Sequence, residues 1–310
     1  DLPRNRLGLA RWLTSPDHPL TARVAVNRYW QLMFGQGLVR TPEDFGNQGE
    51  IPTHPELLNW LSRDFIASGW DVRSLLRRIA MSATYRQSSV VSPEQREKDP
   101  TNLYYARGTG MRLSAEMIRD NILATSGLLT KDVGGEPVKP YDLALAYTPL
   151  DVDEGNKLYR RSLYTFWKRA SPAPVMMTLN APSREVCRMK REITDTPLQA
   201  LVLLNGPQFI EASRVLAAEL LDQYGENAAE LARDAFLRLT SREPSVEESE
   251  ILVEMYQNQL DEFTNHPEHA LEFLKIGQAS VSPNTAPAPL AAVTVLVNSI
   301  MNLDESVRHQ

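Results

Sequence analysis

The sequence predicts a mainly α fold: a compact multi-helix domain over residues 1–310, with helical lobes at about 1–130 and 170–310 and a minor β element near 160–169. Three observations carry that prediction. Apolar residues recur at three- and four-residue spacing through most of the chain, which places them on one face of a 3.6-residue helix. Cap signatures open several of these runs, and Gly or Pro closes them. Only one short stretch alternates as a strand does.

The first helix read from the pattern covers 20–34 and stops at Gly35 and Gly37. Thr53, His54, Pro55 and Glu56 read as a capping box, in which the Thr and Glu side chains each satisfy the other's exposed N–H. The helix that follows carries Leu57, Leu58, Leu61 and Phe65 and ends near Gly69. Asp71 caps the next, with Val72, Leu75, Leu76 and Ile79 on one stripe and Trp70 placed to staple onto Leu75. Two adjacent capped helices predict an antiparallel pair. Residues 88–102, rich in Ser, Pro and Glu, read as surface loop. A helix is predicted over 114–126, closed by Gly127. The Gly-, Pro- and Asp-rich segment 131–156 lacks a period and reads as a long loop joining the lobes. In 160–169, Leu163, Thr165 and Trp167 alternate with Tyr164 and Phe166, the strand pattern.

The second half reads as helical almost throughout. Thr196, Pro197 and Gln199 combine an N-cap, a first-turn proline and a capping partner, followed by Leu198, Leu201, Val202 and Leu204. Asn205, Gly206 and Pro207 interrupt this helix, which resumes over 209–221. An apolar stripe runs through 228–239, and Ser245 with Glu248 caps a helix through Leu260. Residues 282–289 read as a proline-rich connector, and 290–303 as the final helix.

Composition narrows the functional classes. The 310 residues include 33 basic and 39 acidic ones, a formal net charge of -6 that argues against nucleic-acid binding driven by bulk charge. The charge is uneven, with 1–194 net basic and 195–310 net acidic. Most of the basic residues are Arg, which suits bidentate pairing with carboxylates. Such halves either face one another in complementary fashion or carry differently charged solvated faces; the sharper reading is an anion-binding first half. No apolar run approaches the ~20 residues of a membrane helix. The chain opens on Asp1 rather than Met and reads as a piece of something longer. Cys187 is the single cysteine, so no intramolecular disulfide and no covalent c-type haem attachment is expected here.

Five groups of residues could carry chemistry. Arg112, Glu116, Arg119 and Asp120 fall at helical spacing, as an acid/base or cation-holding carboxylate pair or as a structural ion network, which the interleaved arginines favour. Arg184, Glu185, Cys187, Arg188, Lys190 and Arg191 form the densest charged cluster. Its cations would favour a reactive thiolate, while a lone cysteine more commonly behaves as an inert apolar residue. His266 and His269 are spaced for a metal but lack further ligands at a diagnostic distance and read as exposed loop residues. Tyr29, Trp30, Phe34, Trp60, Trp70, Tyr104 and Tyr105 would line a sugar-stacking groove or, at helical spacing, a core. Asn27 and Arg28 stand out as polar residues between Val26 and Tyr29 that need partners if buried.

Five motifs resemble one family: VNRYWQLMFGQGLVRTPEDFG at 26–46, THPELLNWLSRDFIASGWDVRSLLRRIAMSATYRQSS at 53–89, APSREVC at 181–187, TPLQALVLLN at 196–205 and NLDE at 302–305. Their order and length resemble the C-terminal planctomycete-specific domain of unknown function, found in long exported proteins. The resemblance spans nearly the whole chain. It implies an exported, periplasmic or cell-surface location and upstream domains of the same polypeptide as partners, one of them a c-type cytochrome-like module that would hold the haem. It implies no activity. Two positions depart from the family pattern, which has Asn where Asp195 stands and Asp where Gly206 stands.

The expectation is therefore a binding or assembly module without a cofactor of its own. The alternative is an enzyme domain, a hydrolase or a cytochrome-linked oxidoreductase, acting on extracellular polysaccharide. In that case the arginine and carboxylate clusters would form a site for an anionic polysaccharide. A site joining Glu116 or Asp120 to Arg184 and Arg188 would favour the enzyme; dispersal of these residues into separate ion pairs would favour the module.

Overall fold

A computed structural model describes residues 2–141, 150–280 and 285–309. The fold is mainly helical, with thirteen α-helices among the described residues. The chain divides into two compact units, Asp1–Met111 with His309–Gln310, and Arg112–Arg308. The division falls ahead of the helix near 114–126, which the sequence pattern had grouped with the first lobe.

The first unit contains α1 (Arg6–Leu13), α2 (Thr21–Phe34), α3 (Pro55–Ala67), α4 (Val72–Ala80) and α5 (Pro93–Lys98). The apolar stripes predicted for α2, α3 and α4 meet in one core of Val26, Trp30, Phe34, Leu58, Leu61, Phe65, Leu75 and Ile79. Trp30 stacks on Phe34 with centroids 4.3 Å apart, and Tyr105 sets its edge against both. Most of the aromatic set is thus core rather than groove, whereas Trp60 and Tyr104 are exposed. Gly35 ends α2 in the left-handed conformation at φ 78°, which a residue with a Cβ adopts only with strain.

Two local expectations are corrected in this unit. Thr53 does not form the capping box of α3. His54 is the N-cap without a side-chain cap bond, and the Thr53 N–H and hydroxyl both turn to the Leu38 carbonyl. Bonding to a loop fifteen residues back ties the entry of α3 to the core, so tertiary contact overrides the local motif. Residues 88–102 are not all loop, because Ser92 and Gln95 make a complete capping box for α5. That helix buries no residue and left no apolar stripe to read.

The second unit holds α6 (Ala115–Thr125), α7 (Pro174–Thr178), α8 (Pro197–Asn205), α9 (Pro207–Tyr224), α10 (Ala228–Thr240), α11 (Val246–Asn265), α12 (Pro267–Phe273) and α13 (Pro287–Met301). Helix α13 is apolar nearly all round and is accordingly central, packed by α9, α10, α11 and α12. Leu290, Val293, Leu296, Val297 and Ile300 are all buried there, each stabilising the fold by about 1.5–3 kcal/mol. Ile118 and Ile122 place α6 in this same core. The predicted Ser245–Glu248 capping box of α11 is present in full.

The minor β element is not at 160–169. That segment contains a 3-10 turn over Ser162–Tyr164, and its ladder contacts are isolated bridges from Arg160 to Thr130 and from Thr165 to Val138. Alternation supplies one face of a strand but not a neighbour to pair with, and Leu163 is exposed as a result. The strands that do form, β1 (Met111–Arg112) and β2 (Arg308–His309), are two residues each and pair with one another. Of the predicted loop 131–156, residues 142–149 lie outside the described residues, as do 282–284 of the connector 282–289.

Candidate functional site

The charged residues singled out by spacing do not converge. Arg112 precedes α6 in β1 rather than sharing its helix, and it pairs with Asp195 at 3.1 Å instead of Glu116. This pairing gives Asp195 an ionic role. Glu116 in the first turn of α6 accepts from Arg191 at 2.6 Å. Burial alone would raise its carboxyl, but the Arg191 hydrogen bond and charge outweigh this and hold it below the ordinary carboxylate value.

Arg119 turns the other way, into the interior. Its Nε donates to Gln208 Oε1 at 2.6 Å, Nη1 to the Arg160 carbonyl and Ser162 Oγ, and Nη2 to the Leu158 carbonyl at 2.7 Å. Asp120 beside it accepts from the Ser162 N–H at 2.7 Å. Both residues thus fasten the turn at 158–162 to α6. A guanidinium suits this role because its fixed fork can satisfy several buried carbonyls at once.

The second cluster is spread over the surface. Arg184 lies over the Trp167 ring at 4.7 Å, Arg169 pairs with Glu185 at 3.1 Å, and Arg188 pairs with Glu192 at 2.9 Å. Cys187 is exposed. Asn27 is fully buried, and its amide exchanges two hydrogen bonds with the Val39 backbone, at 2.8 and 3.0 Å. A Cβ on Gly37 would come within 2.5 Å of that amide, so the two positions are matched. Arg28, its neighbour, is exposed. His266 and His269 stack at 5.2 Å and face Glu268 and Glu262. Among the described residues no group of three or more His, Cys, Asp or Glu could hold a metal ion.

The residue that the spacing argument missed is Glu211 on α9, which is fully buried. Its Oε1 accepts from Tyr159 at 2.8 Å, from Tyr141 at 3.1 Å and from the backbone N–H groups of Gln278 and Ala279 at 2.6 Å each. Its Oε2 has no partner among the described residues. Burial and the adjacent Glu211 carboxylate both push the two phenols up, so they remain protonated donors. Gly277, at φ 91°, comes so close that a Cβ would lie 2.7 Å from the Glu211 side chain. Three residues along the helix, Arg214 donates to the Ile276 carbonyl at 3.1 Å. Glu211 and Arg214 thus hold down 276–279, an anchoring role rather than a reactive one. The sequence signal was a carboxylate between Ile210 and Ala212 in an apolar run, a position that demands buried donors.

Two cavities accompany these features. The one in the second unit, about 20 Å³, is lined by Arg119, Thr165, Gln208, Met176 and Phe209 and has room for about one water. The buried Thr165 Oγ1 has no protein partner among the described residues. The other, about 240 Å³, lies in the first unit between the start of α2, α3 and the loop before α3.

Fold and site define a helical domain whose buried charges serve architecture. The chain belongs to the PSD1 family: the family model described as a protein of unknown function (DUF1553) matches residues 5–256. No curated protein and no solved structure matches it.

Proposed function

We propose that the chain is a binding or assembly module of an exported, cytochrome-linked multidomain protein, whose partner is the upstream part of the same polypeptide. The observation that carries this reading is the exposed leucine stripe of α8, opposite the face on which Gln199 and Leu203 are buried. Gln199 is buried and donates to the Thr178 carbonyl and Thr194 Oγ1, while Leu198, Leu201 and Leu204 on the same helix are exposed. Exposed leucines on a helix whose polar residue is buried mark a surface made for a partner. The dispersal of Glu116, Asp120, Arg184 and Arg188 into separate contacts supports the same reading over a polysaccharide-processing site. Haem chemistry would reside in the upstream module.

The test is association between this chain and separately produced upstream modules, followed by calorimetry. Binding is expected, and Leu198→Lys combined with Leu201→Lys should weaken it at least tenfold with an unchanged melting temperature. Turnover of an anionic polysaccharide by the chain, lost in Glu116→Gln or Asp120→Asn, would instead establish the enzyme.

A further inference from the structure

The cavity of about 240 Å³ in the first unit is the larger of the two, and none of the readings above uses it. Its floor is apolar, with Val39 and Leu58 buried and Phe45 half-buried beside them. Pro19, Pro52 and Pro55 stiffen the walls, since proline fixes the backbone and carries no N–H to satisfy. Two opposite charges also line it, Arg23 and Glu50.

These charges do not pair with one another. Arg23 is fixed in place: Nε donates to Asn59 Oδ1 at 2.9 Å and Nη1 donates to the Pro19 carbonyl. Its Nη2 has no partner among the described residues. Glu50 is in an ion pair with Arg40, whose Nε is 3.7 Å from its carboxylate, a contact too long for a hydrogen bond, so its oxygens can still accept one. A guanidinium held rigid by two acceptors, with its outer nitrogen left over, is organised in advance for a further anion.

We propose that this cavity binds a free apolar α-amino acid. The carboxylate would take the Arg23 Nη2, the ammonium would take Glu50, and the side chain would cover Val39, Leu58 and Phe45. A ligand bearing both signs around an apolar body would match all three surfaces. The volume falls below the ~300–1,000 Å³ of sites for drug-sized ligands, which restricts the occupant to this size class. The site is independent of the α8 surface, so either reading can fail alone.

The test titrates the intact chain with L-leucine by calorimetry, alongside N-acetyl-leucine, which lacks the ammonium, and leucinamide, which lacks the carboxylate. Saturable binding of leucine is expected, with both derivatives at least tenfold weaker. Arg23→Gln and Glu50→Gln should each weaken leucine at least tenfold. Absence of saturable leucine binding would overturn the proposal, as would equal binding of all three ligands. If Arg23→Gln unfolds, the ligand series on the unsubstituted chain decides by itself.

Discussion

The hydroxyl of Tyr159 donates to Glu211 Oε1 at 2.8 Å inside the second unit, and the carboxylate it meets is closed to solvent. Four donors share that single oxygen, two phenols and two backbone amides. The arrangement stabilises a buried charge by surrounding it with N–H and O–H dipoles rather than by pairing it with a cation.

Replacing Glu211 with Ala strands those donors without water to accept them. The expected loss is about 3 kcal/mol or more, since each buried unsatisfied polar group costs about 1–3 kcal/mol. Urea unfolding measures it. Hydrogen exchange at the Gln278 and Ala279 amides should quicken in the milder Glu211→Gln variant; unchanged protection there would remove the anchoring role.

Arg119 and Glu116 separate the interior from the surface of α6. Arg119→Met should cost about 3 kcal/mol or more, because the Leu158 and Arg160 carbonyls lose their donor. Glu116→Ala should cost only about 1 kcal/mol or less, because its partner Arg191 is half exposed and free to solvate. Equal losses in the two variants would contradict this ranking.

Asn27 makes its own prediction. Asn27→Ala leaves the Val39 N–H and carbonyl unpaired in the core and should destabilise the fold by about 2 kcal/mol. Gly37→Ala should be comparably harmful, since its methyl would collide with the amide. Thermal unfolding of both variants, followed by circular dichroism, is the check.

Glu248 sets an acid limit. The Arg242 guanidinium and the Ser245 N–H lower its carboxyl from 4.5 to about 2. A folded-state value below the unfolded one adds stability that is present above pH 4.5 and is lost as the pH falls toward 2. Arg242 also binds Glu305 at 2.7 Å, so the closing NLDE motif shares in this cluster. The melting temperature should drop between pH 4.5 and 2, and Glu248→Gln should flatten that drop. A variant whose melting curve tracks the unsubstituted chain across this window would refute the linkage.

Amino-acid order alone determined the longer helices, because an apolar residue every three or four positions and a capping side chain act within a few residues. The stripe of α3, the box at Ser245 and the apolar run of α13 were therefore legible. The tertiary structure decided which polar groups meet. Thr53 abandons its cap for the Leu38 carbonyl, Arg112 finds Asp195 eighty-three residues away rather than Glu116 four away, and 160–169 alternates without a sheet to join. Glu211 lies in the same class, since its donors come from 141, 159 and 278–279, which no local spacing connects. Burial makes such long-range bonds obligatory, because a desolvated charge or amide must take whichever partner the packed helices bring to it.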